Sequence, residues 1–282
     1  MRTKYNSIFT EYRISPHAKG AKAALNELFR YSDLLQSWIK RDWLLRYNQS
    51  PLGWLWLALQ PLGTALLLGF VFGLTLKPHS AEMPMGLFIV SGWSFWFFMQ
   101  SSSQQSLQAF GQYQSMFKKV YFPKMLLPLA KTLGLLPELW VGLMCTLLWA
   151  GFGRHLNPSA WLVFLPVVWA VVHSWSFSTL AFALGGSYRD VQFIWPYLLQ
   201  MLFFLSPVIY PFGLLGTHLP EYVQALLFLN PLCGAMEAFR FFCFEGYVFN
   251  PNIWISLAAQ PFWLLVTWWV YRKQEPKWLD AL

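Results

Sequence analysis

Charged and apolar positions follow different patterns before and after about residue 50. Before this point they are mixed, whereas the 23 residues from Trp54 to Leu76 carry no charge. A helix of that length rises about 34 Å, which is enough to cross the hydrocarbon core of a bilayer with some tilt. Ser50 is a suitable N-cap residue, and Pro51 suits the first turn because a missing N–H group costs nothing there. The pattern predicts a first transmembrane helix just after residue 50.

Further apolar stretches with few charges predict an all-α, polytopic membrane protein. We expect a membrane domain over 50–282 with six transmembrane helices, at about 54–76, 85–110, 132–152, 159–184, 193–212 and 252–271. Two apolar runs between the last two spans, separated by Asn230-Pro231, are each too short to cross a bilayer. We expect them to form an outer re-entrant helical hairpin at about 214–248, where protein or water covers the irregular backbone.

The segment before residue 50 has a different character. Residues 1–24 are basic and polar, which predicts a loosely ordered cytoplasmic tail. Over 25–49, apolar residues such as Leu28, Leu35 and Trp38 recur at helical spacing, but the charge density is too high for a span. We expect an amphipathic helix in the membrane interface. A soluble helix packed on a partner is the alternative.

Composition and charge placement support this topology. Apolar residues make up 56% of the 282 positions and charged residues 11%, against about 25% charged in soluble domains. Of the 20 Lys and Arg residues, 17 lie on segments assigned to one side; the others are Lys77, Arg154 and Arg240. This asymmetry is typical of the positive-inside rule and predicts cytoplasmic termini. Phosphate binding is the weaker explanation of the net charge of +8.

Several chemical motifs are missing from the sequence. There is no G-x-x-x-x-G-K-[ST] phosphate-binding loop, no G-x-S-x-G nucleophile motif, and no His/Cys/Asp/Glu group with metal-ligand spacing. We therefore expect no nucleotide, cofactor or metal site of this chain's own, and the absences disfavour an enzyme of these classes. If transport requires ATP, another polypeptide must bind it.

Six short motifs occur in order along the chain from Leu34 to Asp280. They are Lys40-Arg41-Asp42 with Arg46-Tyr47, Ser50-Pro51-Leu52-Gly53, Trp56 and Leu59-Gln60-Pro61; Phe117 to Pro123; Tyr188-Arg189-Asp190-Val191; Ser206 to Pro211; Asn230-Pro231-Leu232; and Glu237-x-x-Arg240. In this order the motifs resemble those of the membrane subunits of ABC type-2 polysaccharide exporters, and the tail Glu275-Pro276-x-x-x-Asp280 also fits.

The resemblance is strongest to subunits that export lipid-linked O-antigen or teichoic-acid polymers. It implies a homodimer in the bacterial inner (cytoplasmic) membrane, joined by two copies of a separate ATPase that binds ATP and Mg²⁺. A glycan channel would then form between the two membrane subunits. A drug or simple-lipid exporter with the same fold is the alternative within this class.

Two other classes of protein, membrane enzymes and proton-coupled transporters, require different sets of polar residues. A membrane enzyme such as an acyltransferase needs a polar catalytic set, but His79, His155 and His218 have no evident carboxylate partner in the sequence. A proton-coupled transporter needs titratable groups at membrane depth, for which Glu138 and His173 are the candidates. The two side chains could pair. Alternatively, Glu138 meets the positive end of its helix dipole and His173 bonds a neighbouring backbone group.

Two groups of candidate residues lie at the predicted cytoplasmic side. The turn over 112–124 is predicted to form a short amphipathic helix that seats in the ATPase through Phe117, Lys118, Lys119, Tyr121 and Phe122. A solvated loop is the alternative. Arg41, Arg46 and Arg189 are predicted to meet the pyrophosphate of a lipid-linked polymer, because guanidinium groups bind phosphate oxygens bidentately. Arg189 could instead pair with Asp190 or cap a helix.

Two further groups concern the outer side and the channel. Glu237 and Arg240 are three residues apart, so they share a helical face and are predicted to fix the hairpin as a lid. An exposed ion pair is the alternative. Aromatic residues suit a sliding glycan because they offer flat contact with little directional bonding. The predicted channel residues, which could instead pack helices together or meet lipid, are Trp93, Trp96, Phe97, Phe203, Phe204 and Tyr210.

Overall fold

The computed structural model describes residues 27–48, 51–75, 83–117, 119–153, 155–212 and 220–280. The predicted tail over 1–24 lies outside these residues. The described part is helical, and its only β-type pairing is the isolated bridge between Leu156 and Phe244. The prediction of an all-α fold is therefore confirmed for these ranges. The α-helices are α1 Ser32–Tyr47, α2 Trp56–Thr75, α3 Met85–Phe117, α4 Leu126–Gly134, α5 Leu136–Phe152, α6 Phe164–Ser187, α7 Val191–Leu205, α8 Glu221–Leu227, α9 Pro231–Cys243 and α10 Ile253–Asp280.

Helix α3 is the central element, with 33 residues and a length of about 50 Å. It packs against α2, α4, α5, α6, α7 and α9. Four of its buried serines, Ser91, Ser94, Ser102 and Ser103, donate to carbonyls of their own helix, so these hydroxyl donors are satisfied without an outside acceptor. Small residues bring the neighbours close. A Cβ on Gly142 of α5 would lie 2.3 Å from the Ser94 hydroxyl oxygen, so this crossing tolerates only glycine.

Among the described residues, four helices are long and apolar enough to cross a membrane, or five if the bent pair α8 and α9 counts as one span. The six spans of the sequence prediction are therefore supported only in part. Helix α3 is long enough, but its many Ser, Gln and Trp residues lower its hydropathy. The four ranges are Gly53–Phe72, Leu126–Phe152, Pro158–Ser187 and Ile253–Trp278.

Two predicted boundaries are wrong. The turn expected from residue 112 begins later, because α3 continues to Phe117. The span expected over 193–212 ends at Leu205, leaving 15 helical residues. Pro207 explains the second difference, since a proline disfavours helical backbone at the residue before it.

The two apolar runs around Asn230-Pro231 are helices, as predicted. Helices α8 and α9 meet at an angle of 97°. The Asn230 side chain accepts from the backbone N–H of Leu232 at 3.1 Å, and Pro231 occupies the first turn of α9, so this pair of residues both ends one helix and starts the next. After α9, Asn157 N–H bonds the Cys243 carbonyl and Glu245 N–H bonds the His155 carbonyl, which attaches the end of α9 to the α5–α6 connection.

Many cations gather at one end of the bundle, which we call the cationic end. It comprises α1, the 119–125 connection, the 188–190 turn and the last turns of α10. Helix α1 lies against this end, with Trp38 buried beside Tyr113 and Phe122 at ring distances of 5.6 and 5.0 Å. Its polar face, including Gln36 and Lys40, is exposed. The helix predicted over 25–49 is therefore present over Ser32–Tyr47 and packs on the chain itself, whereas its place in the membrane interface stays a prediction.

Candidate functional site: two polar joints on the helix bundle

The first joint holds α9 on α3, away from the cationic end; we call it the Arg240 joint. Its residues are Arg240, Glu237, Tyr247, Ser91 and Phe88. The Arg240 side chain is 0% exposed and that of Glu237 is 3% exposed. Because the two residues lie on one face of α9, the guanidinium reaches the carboxylate with an N–O distance of 2.9 Å. The alternative of an exposed ion pair is therefore wrong.

Each charge in the Arg240 joint has further partners. Arg240 donates from Nε to the Ser91 hydroxyl at 3.2 Å and from Nη2 to the Phe88 carbonyl at 3.1 Å. The Tyr247 hydroxyl donates to the Glu237 carboxylate at 3.0 Å. A Cβ on Gly92 would lie 2.5 Å from Arg240 Nη2, so a glycine is required where the guanidinium crosses α3. Sequence analysis missed Tyr247 and Ser91, because nothing in their local sequence indicates these partners. Tyr247 is 10 residues from Glu237, and Ser91 is 149 residues from Arg240.

The second joint connects α1 to α5 and α3 at the cationic end; we call it the Arg46 joint. Arg46 donates to Glu138 Oε1 at 2.5 Å and to Gln105 Oε1 at 2.7 Å. The Tyr47 hydroxyl donates to the same Glu138 oxygen at 2.5 Å. Burial alone lowers the pKa of Arg46, but the Glu138 charge and the Tyr47 contact outweigh it, so the pKa is raised. Burial, followed by Glu138, raises the pKa of Tyr47. Arg46 therefore stays protonated and Tyr47 neutral, and both remain donors.

The middle of α1 has its own contacts. Asp42 accepts from Lys131 Nζ at 2.6 Å and from Arg41 at 2.8 Å, and Arg41 also donates to the Tyr113 hydroxyl. Trp43 Nε1 donates to the Gly134 carbonyl at 2.6 Å, where α4 ends. Helix α1 is thus attached to both halves of the broken α4–α5 segment and to α3, and a displacement of α1 acts on all three helices.

Two of the three predicted pyrophosphate ligands therefore already have protein partners, since Arg41 and Arg46 belong to the contacts of α1. Arg189 lies in the exposed turn between α6 and α7. Within the described part of the chain, no ion pair joins it to Asp190, so that alternative is wrong.

The connection between α3 and α4 is irregular, so the amphipathic helix predicted there is wrong. Residues 119–125 form turns and irregular backbone, and Pro123 disfavours a helix over Phe122. Phe122 is buried against Trp38, and Phe117 packs on Phe110 and Phe122 at ring distances of 5.4 and 5.6 Å. Lys118 lies outside the described residues. Lys119 and Val120 are exposed, and Tyr121 is exposed with its hydroxyl 3.3 Å from Glu27 Oε1.

Lys124 stabilises this connection through contacts with aromatic rings. Its Nζ lies 5.7 Å from the centre of the Phe117 ring and 5.3 Å from that of Trp278, near the end of α10. Burial lowers the pKa of Lys124, an effect that Glu275 partly offsets. The exposed tip at 119–121 is thus attached through Lys124 to the end of the last helix.

Most predicted channel aromatics pack on one another within the chain. Phe203 of α7 contacts Trp93 at 5.7 Å and Trp96 at 5.5 Å, and Trp93 lies 6.3 Å from Phe97. Trp96 is 1% exposed, and its Nε1 donates to Gln100. Phe204 differs, because it is 56% exposed; the Tyr210 hydroxyl donates to its carbonyl. This cluster joins α7 to α3.

Glu138 and His173 do not pair. Glu138 belongs to the Arg46 joint, at the first turn of α5, whereas His173 lies in the middle of α6. The His173 ring stacks near Phe177 at 6.0 Å and lies edge-on to Trp263 at 6.2 Å. It lines an almost wholly apolar cavity of about 190 Å³ beside Asn230. The structure therefore separates the two groups considered for proton coupling.

Comparison with known proteins gives a consistent result. The family model described as "ABC-2 type transporter" matches residues 33–244. The chain is 27% identical to the O-antigen export system permease protein RfbA of Myxococcus xanthus, over 83% of this chain and 89% of that protein. It is 26% identical to the protein of the same name from Klebsiella pneumoniae, over 74% and 79% of the two chains. It is 24% identical to the polysialic acid transport protein KpsM of Escherichia coli, over 86% and 93%.

Proposed function

Because the chain belongs to the ABC-2 type transporter family, we propose that it is the membrane permease subunit of an ATP-driven exporter for a cell-surface polysaccharide. The observation that carries this proposal is that relatives named for O-antigen export and for polysialic acid transport match most of this chain and most of their own length. A lipid-linked polymer such as O-antigen is the substrate class that these names support best. Nothing in the matches favours a drug or simple-lipid exporter.

Energy for transport is supplied by a separate ATPase in this proposal. The sequence has no phosphate-binding loop, so ATP and Mg²⁺ would bind to the partner, in two copies for a permease homodimer. We place the cationic end and both termini in the cytoplasm of the bacterial inner membrane, because the sequence assigns 17 of the 20 Lys and Arg residues to segments on one side.

Six crossings fit this orientation if α3 and the segment containing α7 are counted with the four apolar helices. Helices α8 and α9 then form a hairpin that enters from the outer side and turns back at Asn230-Pro231. Two observations support this hairpin. The two helices meet at a 97° bend, and Arg240 is completely buried, whereas in a surface loop its side chain would be exposed. Fixed to α3 by the Arg240 joint, the hairpin is positioned to cover the outer mouth of the channel.

The glycan channel is proposed to run along α7 at a homodimer interface. Five large side chains on α7 are more than half exposed. Ile194 is one of them, and the other four form a stripe at helical spacing: Phe193, Tyr197, Met201 and Phe204. Packing within one chain leaves this stripe uncovered. In the proposal a second subunit faces it, and contact with lipid is the alternative. Aromatic and thioether groups offer contact to sugar rings without strong directional bonds. Arg189 lies just before this stripe and is positioned to meet the pyrophosphate of an arriving polymer.

The channel prediction is tested by replacing Phe204 with alanine. Because Phe204 is exposed, we expect folding and dimer assembly to stay within about 0.5 kcal/mol of wild type, with slower polymer export. Phe262 of α10 is similarly exposed, so Phe262→Ala is the matched control and should export normally. Equal export by both variants would remove Phe204 from the path.

The coupling prediction concerns the exposed tip at residues 119–121. Replacing Lys119, Val120 and Tyr121 by alanine should preserve the fold, because all three are exposed, but weaken attachment to the ATPase. We expect a loss of more than tenfold in permease-stimulated ATP hydrolysis and in export. Phe262→Ala, on α10 and away from the tip, is the control. Wild-type stimulation in the triple variant would contradict a coupling role for the tip.

The proposed function is tested in the cells that carry this gene. Deleting it should abolish the surface polysaccharide and cause lipid-linked polymer to accumulate inside, and the wild-type chain should restore export. Normal surface polysaccharide in the deletion strain, with no second permease gene present, would overturn the proposal.

A further inference from the structure

One face of α10 near the cationic end forms a shallow pocket, which we call the α10 pocket. It is lined by Leu265, Trp268, Trp269, Arg272 and Lys273 and has a volume of about 540 Å³. It lies outside both joints and outside the proposed channel stripe. Leu265 and Trp269 are 67% and 62% exposed, so one wall of the pocket is open to its surroundings.

The cations of the α10 pocket are held by its aromatic rings. Arg272 and Lys273 each follow a tryptophan by four residues, so each pair shares a helical face. The Arg272 guanidinium carbon lies 5.7 Å from the centre of Trp268, and Lys273 Nζ lies 5.0 Å from the centre of Trp269. Cation–π contact fixes both charges above a flat apolar surface. Lys277, one turn further on, lies 5.7 Å from the Tyr188 ring and adds a third cation.

The order of side chains along α10 matches the order of chemical groups in a phospholipid leaflet. From Leu265 to Arg272 the helix rises about 10 Å, passing from an aliphatic residue through two tryptophans to two cations. Tryptophan prefers the interface between acyl chains and headgroups, and Arg and Lys side chains reach the headgroup phosphates. Among the described residues, no carboxylate lies within ion-pair distance of Lys273, so its charge is available to an anion.

We propose that the α10 pocket binds the headgroup phosphate of an anionic phospholipid in the leaflet at the cationic end. This inference rests on the proposed membrane orientation but on neither the polymer nor the ATPase. A lipid fits better than free phosphate, because three of the five lining residues are leucine or tryptophan and would stay exposed to water without an acyl chain. Phosphatidylglycerol supplies a phosphate charge and acyl chains in one molecule.

The test measures lipid binding to the purified full-length permease. Native mass spectrometry counts retained phosphatidylglycerol and phosphatidylcholine, and photoactivatable phosphatidylglycerol maps the contact by peptide analysis. The Arg272→Gln/Lys273→Gln variant removes two charges. Since each cation near a membrane surface contributes about 1 kcal/mol, binding should weaken about 30-fold. Lys40→Gln/Lys119→Gln removes the same charge from exposed positions elsewhere and is compared for lipid binding only.

We expect the wild type and the control variant to retain phosphatidylglycerol in preference to phosphatidylcholine, and the pocket variant to lose it. In the wild type, the photoactivatable lipid should crosslink to the peptide containing residues 265–273. Equal retention by the pocket variant and wild type would overturn the proposal. Displacement of the lipid by millimolar inorganic phosphate would also overturn it, because the pocket would then be a free-phosphate site. The assay contains neither ATPase nor polymer, so its outcome is independent of whether the export proposal holds.

Discussion

Replacing Arg240 by methionine should lower the free energy of unfolding by about 3–5 kcal/mol, because the change leaves the buried Glu237 carboxylate without its cation. Ser91 and the Phe88 carbonyl lose a donor at the same time. An SDS titration in detergent measures this effect. Arg189→Met removes an exposed arginine and should change the free energy by less than about 0.5 kcal/mol.

A second variant separates stability from gating at the Arg240 joint. In Arg240→Met/Glu237→Gln the unpaired charge is gone, and the glutamine amide oxygen still accepts from Tyr247, so most of the stability should return. If the joint positions the hairpin for gating, this folded variant will assemble normally yet export less polymer. Full export by the double variant would show that the ion pair serves folding alone. A single variant as stable as wild type would contradict the buried pair itself.

Replacing Glu138 by alanine should detach α1 from α5 and lower the free energy of unfolding by about 2–3 kcal/mol. The change removes the acceptor shared by Arg46 and Tyr47, and the cost is below that of a fully buried pair because the Arg46 side chain is 31% exposed. Arg46→Ala and the double variant complete a cycle that isolates the interaction. Glu245→Ala, which removes an exposed carboxylate, is the control.

The functional consequence of the Glu138 change is expected at the cationic end. Helix α1 contacts α3, α4 and α5 through Arg41, Trp43 and Arg46, so its release should make the 27–48 segment accessible to protease and reduce export. A Glu138→Ala permease with wild-type protease resistance would contradict the role assigned to the Arg46 joint.

Short-range patterns in the sequence predicted much of this architecture. The uncharged run after Ser50 and the Asn230-Pro231 break each depend on neighbouring residues, and the structure has a helix after the first and a 97° bend at the second. Glu237 and Arg240 could be placed on one face because they are three residues apart. The cost of charge at membrane depth favoured a pair satisfied within the protein, and the structure decides for burial over the exposed alternative.

Contacts between distant segments could not be predicted in the same way. Glu138 was open to several partners, and only the packing of α1 on α5 selects Arg46, 92 residues away. Gly92 and Gly142 gave no signal, because the need for glycine comes from Arg240 and Ser94 on neighbouring helices. The sequence grouped Trp96, Phe203 and Phe204 as channel candidates, yet it did not indicate that Trp96 would be buried against Phe203 while Phe204 stays exposed.

Export itself is measured most directly in sealed vesicles that contain the purified permease, its ATPase and the lipid-linked polymer, with the ATP-binding face outward. The readout is the fraction of polymer protected from an added glycosidase. The account predicts that protection grows with time only when ATP and both subunits are present, and that Phe204→Ala slows it while Phe262→Ala does not. ATP hydrolysis without any gain in protected polymer, or ATP-driven uptake of a fluorescent drug in its place, would contradict it.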